Sequence, residues 1–258
     1  MTELVRVHAG GGVATLTLDS PHNRNALSTA LMTELLAALG VARNDDAVRA
    51  IVLSHTGPVF CSGADLKETA AATAGGGTVP ASRLGNVLAA VWECPKPVVA
   101  RVAGPARAGG LGLIAAADIA VCAADATFAF SEVHIGVIPA VISATVLRRL
   151  APRAAAELYL TGEVFDGRRA AEIGLVTAAV PVGELDAAVD RYTAALVRGG
   201  PGALAGTKQL LHRPLQMTLR EDLADLSELS GRYFGSEEGM EGVRAFREKR
   251  DPYWVPRD

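Results

Sequence analysis

Near the start of the chain, Val13, Thr15 and Thr17 alternate with Ala14, Leu16 and Leu18. This is the two-residue period of a strand half in and half out of a core. Leu4–His8 lies on the other side of Gly10-Gly11-Gly12, so the pair predicts a β-hairpin. After the polar loop from Ser20 to Asn25 the period changes. Leu31, Leu35 and Leu39, widened by Met32 and Leu36, form the apolar stripe of a helix that Ser28 can cap. Arg49–Ser54 returns to a β-branched strand. A helix over Ser82–Cys94 places Leu84, Val87, Leu88 and Val91 on one face, Pro95 and Pro97 end it, and Val98–Val102 reads as a strand. Short strands near Ile119–Ala123 and Thr127–Phe130 follow a helical Leu111–Ala117.

A ββα rhythm therefore recurs, without a fixed-period repeat. Beyond Pro139 the pattern turns helical. It predicts short helices over Ser143–Leu150, Arg153–Thr161 and Arg168–Ile173, then a strand ending near Pro181. Helices at about Gly183–Arg198, Pro201–His212, Leu219–Phe234 and Glu237–Lys249 close the chain. The expectation is an α/β fold. Residues 1–200 form a ββα core, and residues 201–258 form a helical part that packs on it or on a neighbouring subunit.

Composition narrows the function. Half of the 258 residues are hydrophobic, enough for a sizeable core. Net charge is −3 with no Lys/Arg stripe, so no nucleic acid is expected as the main partner. No uninterrupted apolar segment reaches the roughly 18 residues that a span requires, so no membrane is expected either. The first residues lack the apolar stretch of a secretory signal. Cys61, Cys94 and Cys122 show no CxxC spacing and read as free thiols in a reducing compartment, with the cytoplasm as the default.

Candidate chemistry concentrates in Arg101–Pro139. Gly109 and Gly110 stand at the start of a helix, where unpaired N–H groups and the helix dipole favour a developing negative charge. Glu132 follows one strand later among apolar neighbours, which should raise its pKa towards a useful range for proton transfer. The loop Thr56–Lys67, with Gly57, Pro58 and Gly63, is built for unusual turns, and Glu68–Pro80 reads as a mobile stretch. His8, His22, His55, His134 and His212 are scattered without metal-ligand spacing, and no GxSxG nucleophile elbow occurs. The combination suggests chemistry on a carbonyl compound.

Several stretches, taken in order, resemble the enoyl-CoA hydratase/isomerase (crotonase) superfamily. They are Asn23-Arg24-Asn25-Ala26-Leu27, Phe60-Cys61-Ser62-Gly63-Ala64-Asp65-Leu66-Lys67, Lys96-Pro97-Val98-Val99-Ala100 and Gly104-Pro105-Ala106-Arg107-Ala108-Gly109-Gly110 with Asp118-Ile119. Farther on come Glu132 with Gly136-Val137-Ile138-Pro139, then Thr161-Gly162, and Ala170-Ala171-Glu172-Ile173-Gly174-Leu175-Val176. The resemblance implies a crotonase-like spiral of ββα turns with C-terminal helices that build a homotrimer or a dimer of trimers. It also implies an acyl-CoA thioester as substrate, with no separate cofactor and no metal. By resemblance, the N–H groups of Ala64 and Gly109 form an oxyanion hole and Glu132 moves the proton. Arg24, Ala26, Leu27, Asp65, Leu66 and Lys67 match positions lining the coenzyme A site. Phe246 and Lys249 match residues that complete that site, often in a neighbouring subunit.

One position departs from the pattern. Hydratases of this family carry two glutamates, and here the first of the two positions is Gly112. Glu132 is retained. Three reactions stay open: hydration with Glu132 alone, double-bond isomerisation, which needs a single base, and decarboxylation through the same enolate. A non-catalytic CoA-ester binder, or an RNA-binding relative, is the alternative outside enzymology. His134, Arg107 and Glu68 are the neighbours that could replace the missing acid, and none has a compelling spacing.

Overall fold

The computed structural model describes residues 3–65, 67–68, 70–71, 81–214 and 218–256. Its hairpin is β1 (Val5–Gly10) paired antiparallel with β2 (Val13–Leu18), turning through Gly11 and Gly12 at positive φ. Parallel strands β3 (Ala50–His55), β4 (Val98–Val102), β6 (Ile119–Ala123) and β9 (Ala178–Val180) extend it. The six-stranded order is β1-β2-β3-β4-β6-β9. A second sheet joins β5 (Ala106–Arg107), β7 (Thr127–Ala129) and β8 (Phe165–Asp166) in the order β5-β7-β8. Two of its strands are only two residues long, too short to leave a period in the sequence.

The large sheet is covered on both faces, which is why its parallel strands read as nearly continuous apolar runs. Ile51, Leu53, Val98, Ala100 and Cys122 belong to the main core with Leu31, Leu35, Val87, Leu88 and Leu111. Those last residues come from α1 (Thr29–Asn44), α2 (Ala81–Trp92) and α3 (Gly109–Ala116). Val52, Val99 and Val121 point the other way, onto Leu185 and Val189 of α7 (Leu185–Val197). Ser28 caps α1 as expected, accepting from the Leu31 N–H at 3.2 Å. Every residue of α3 is buried.

Past Pro139 the expected helices form with shifted ends. α4 runs Ala140–Val146 rather than Ser143–Leu150, because Pro139 itself occupies its N-cap. α5 (Pro152–Thr161), α6 (Gly167–Glu172), α8 (Pro201–His212), α9 (Leu219–Phe234) and α10 (Glu237–Glu248) lie within a residue of expectation. α8 is docked on this chain's own core. Lys208 Nζ donates to Asp118 Oδ2 at 2.7 Å, Asp118 also accepts from the Val98 N–H at 2.7 Å, and His212 stacks on Trp92 with ring centroids 4.2 Å apart. No described helix is long and apolar enough to cross a membrane. Most of Glu68–Pro80, read above as mobile, lies outside the described residues.

Candidate active site

Two backbone segments meet where the sequence places its glycines. Leu27 bridges Ala64 in parallel, with the Leu27 N–H donating to Gly63 O at 2.8 Å, and Cys61 bridges Ala106. Gly63 adopts φ +93°, and a β-carbon there would stand 2.9 Å from Ala108 Cβ and 3.6 Å from the Gly109 nitrogen. A β-carbon on Gly109 would stand 2.7 Å from Leu27 Cδ1. Ala64, Gly109 and Leu27 are thus brought together, and glycine at 63 and 109 is what lets the segments approach. Gly109 is the first residue of α3, so its N–H has no partner within the helix. Among the hydrogen bonds of the described residues, neither that N–H nor the Ala64 N–H is engaged. Ala108 precedes Gly109 at φ 48°, ψ −117°, a conformation that costs an alanine on the order of 1–3 kcal/mol. Such outliers persist where the surroundings over-determine them, and here Ala108 aims the start of α3.

The parallel pairing of β5 with β7 sets the third component. Ala106 and Arg107 pair with Phe128 and Ala129, so both chains leave the small sheet at the same end. One enters α3 and the other enters a 3₁₀ turn, Ser131–Ile135, that carries Glu132. Glu132 Oε2 is buried and has no hydrogen-bond partner. Burial lifts the Glu132 pKa above the ordinary carboxylate value. The turn is laced to α5. His134 Nε2 lies 2.8 Å from Thr161 O, and the Phe130 and Tyr159 rings pack with centroids 4.5 Å apart. Tyr159 has its pKa raised, first by burial, with the nearby Glu132 charge adding to the shift. Its hydroxyl stands 3.4 Å from Ser143 Oγ of α4, and that Oγ donates to Pro139 O at 2.7 Å.

Position 112 is closed. A β-carbon on Gly112 would stand 2.6 Å from Ile142 Cγ2 and 3.3 Å from Leu88 Cδ1. The three neighbours weighed as substitutes are each engaged elsewhere. Glu68 Oε2 accepts the Thr29 N–H at 2.8 Å and so caps α1, the Arg107 guanidinium binds Thr127 O at 2.6 Å, and His134 faces Thr161 O.

The positions matched to a coenzyme A site are scattered in role. Arg24 is exposed at φ 51° beside the Gly63 loop, its carbonyl accepting from the Ser62 N–H at 3.0 Å. Ala26 and Leu27 are buried, and Lys67 is exposed. Asp65 accepts from Asn23 Nδ2 at 2.8 Å and from the Lys67 N–H at 3.0 Å. Its carboxyl titrates below the usual range, chiefly through the Glu68 N–H. Leu66 lies outside the described residues. Phe246, 85% exposed, and Lys249 sit on α10 and at its C-cap, and α10 packs against α8 and α9 rather than against the turn of Glu132.

Reading the sequence missed Asn25 as a structural tie. It is wholly buried at φ 52°, accepts the Ser20 N–H at 2.7 Å, and donates to Thr56 O and Val59 O at 3.0 and 2.8 Å. The Asn-Arg-Asn signal was visible, but two of the three partners of Asn25 lie more than thirty residues away. Tyr159, Ser143 and Ile142 carried no local signal.

Comparison with known proteins identifies the family and the fold. Residues 8–257 match the family model for enoyl-CoA hydratase/isomerase. A Rhodobacter capsulatus protein described as "Probable enoyl-CoA hydratase" is 36% identical over 98% of both chains. The crystal structure of an enoyl-CoA hydratase from Mycobacterium avium is 46% identical, covers 98% of this chain and 100% of its own, and superposes with a TM-score of 0.75. That of an enoyl-CoA hydratase/isomerase from Marinobacter aquaeolei, 30% identical over 99% of this chain and 100% of its own, superposes at 0.92. The chain belongs to the enoyl-CoA hydratase/isomerase family and has the crotonase fold.

Proposed function

We propose that the protein hydrates a 2-enoyl-CoA thioester, with Ala64 and Gly109 holding the thioester oxygen and Glu132 carrying the proton. The observation that carries this reading is the pairing of the unengaged Ala64 and Gly109 N–H groups beside the end of the small sheet from which the Glu132 turn, with its buried and unpartnered Oε2, also leaves. Two fixed donors stabilise the enolate oxygen more than the starting carbonyl, which is where a rate gain arises. Water adds its oxygen to C3 while Glu132 takes a proton. The C2–C3 π pair moves through the thioester onto its oxygen. Glu132 then returns the proton to C2, the carbonyl re-forms, and the net change is one water added.

Arg24 and Lys67 are exposed cations suited to coenzyme A phosphates, with Ala26, Leu27 and Asp65 shaping the same wall. Phe246 and Lys249 serve a neighbouring subunit's pocket in a trimer or dimer of trimers. Exposed Leu219, Phe234, Met240 and Phe246 on the C-terminal helices supply apolar surface for that assembly. Residues 201–258 are the oligomerisation region in this reading. The unpaired thiols of Cys61, Cys94 and Cys122 suit a cytoplasmic setting.

A second reading has an observation of its own. Ile142 closes position 112, so a single carboxylate remains, and one carboxylate suffices to shuttle a proton between C2 and C4 in a double-bond isomerase. Incubation with a 2-enoyl-CoA and, separately, a 3-enoyl-CoA decides between them. Hydration predicts a gain of one water from the first. A conjugated product of unchanged mass from the second, with no water added to the first, would make the protein an isomerase.

A further inference from the structure

Hydration with Glu132 alone leaves one requirement unmet. The attacking water has two protons, and a single carboxylate oxygen holds only one of them, so the oxygen lone pair is not aimed at C3. In this fold the candidates first considered for a second group are engaged elsewhere, and Gly112 has no side chain and no room for one. A second polar group does face the Glu132 turn, from α5. Phe130 clamps the Tyr159 ring at 4.5 Å, the His134–Thr161 contact fixes the turn against the end of α5, and the phenol lies at Ser143 on α4.

Proton counting assigns the direction of that last contact. Ser143 has one hydroxyl proton, and its short 2.7 Å contact is to Pro139 O, which can only accept. At the 3.4 Å contact the phenol is therefore the donor and Ser143 the acceptor. The Tyr159 oxygen keeps its lone pairs for another partner, and its raised pKa keeps it protonated near neutrality.

We infer that Tyr159, oriented by Ser143 and Phe130, is the positioning residue for the nucleophilic water: it accepts one water O–H while Glu132 accepts the other. This rests on the hydratase reading above. The water's O–H bond to Glu132 breaks as its oxygen bonds C3, and the other O–H, held by Tyr159, stays on the oxygen and becomes the product hydroxyl. Tyr159 neither gains nor loses a proton over the cycle.

Tyr159→Phe keeps the ring packing and removes only the hydroxyl. The test follows hydration of a 2-enoyl-CoA beside exchange of the α-protons of a saturated acyl-CoA in deuterated water. Exchange uses Glu132 and the oxyanion hole but no attacking water. The inference predicts that hydration kcat falls by about 10²-fold, the loss typical of a misplaced reactant, with KM little changed and exchange at the wild-type rate. Ser143→Ala should lower hydration in the same direction by a smaller factor. Unchanged hydration in Tyr159→Phe overturns the inference and leaves the hydratase reading intact, and so does a parallel fall of hydration and exchange, which would mark a packing role. A wild-type protein that exchanges α-protons but adds no water overturns both.

Discussion

Ile142 Cγ2 occupies the space in front of Gly112, where a β-carbon would come within 2.6 Å of it. Thr145 Oγ1 of the same helix donates to Gly112 O at 3.1 Å, so α4 is held on the backbone of α3. The missing carboxylate has left no gap, since a packed helix has taken its place. Gly112→Glu should therefore destabilise by about 1–3 kcal/mol or more through overpacking. Ile142→Ala should cost about 2–5 kcal/mol through its cavity. The double variant should be more stable than their sum by on the order of 0.5–3 kcal/mol, because the new side chain fills the space that was opened. Denaturant unfolding of the four proteins measures this coupling, and simple additivity would show that the two positions do not share that space.

Gly63 sits at φ +93° with Ala108 Cβ 2.9 Å from where its own β-carbon would be. Gly63→Ala should displace the Ala64 N–H without removing any side chain from the site. Loss of one such donor lowers kcat by about 10²–10³. Steady-state kinetics beside a circular dichroism spectrum check this. A folded variant with wild-type kcat would remove Ala64 from the oxyanion hole.

Asn25 ties three otherwise separate backbone groups together in the core. Asn25→Ala leaves the buried Ser20 N–H and the part-buried Thr56 O and Val59 O without that partner, and a buried orphan costs about 1–3 kcal/mol. Urea unfolding should show a loss of at least about 1–3 kcal/mol, well beyond the effect of Arg24→Ala at the exposed neighbouring position. Equal effects would mean that the buried network does not hold the loop.

Those partners explain what was legible and what was not. The hairpin, the Ser28 cap and the four C-terminal helices were readable because each rests on local periodicity or a residue within one turn. The Ala64 and Gly109 loops were readable because positive φ and close approach demand glycine in recognisable runs. Asp118, which lies inside the candidate stretch Arg101–Pro139, is the partner of Lys208, 90 positions later. Glu68 proved to be the cap of α1, 39 residues upstream. The closure over Gly112 and the placement of Tyr159 arise from α4 and α5 folding back onto α3 and the Glu132 turn. No window of sequence contains both sides of such a contact.

Burial raises the Glu132 pKa, and the sign of the linked stability follows. A group whose folded-state pKa exceeds its unfolded value, about 4.3 for glutamate, contributes stability in full below that value. The contribution is lost as pH rises through the folded-state pKa. The wild-type protein should therefore lose stability relative to Glu132→Gln between about pH 4 and neutrality. Chemical denaturation of both proteins at the two ends of that range checks it. A stability difference that does not change with pH would show that burial leaves the carboxyl unperturbed.

In the proposed mechanism Glu132 alone carries the proton while the Ala64 and Gly109 backbone holds the thioester. The most direct measurement is enoyl-CoA turnover by Glu132→Gln, taken together with calorimetric binding of a saturated acyl-CoA to the same variant. Turnover should fall by at least about 10²-fold, as for loss of a general acid–base group, with acyl-CoA binding at wild-type strength. A Glu132→Gln protein that turns over enoyl-CoA at the wild-type rate would contradict it.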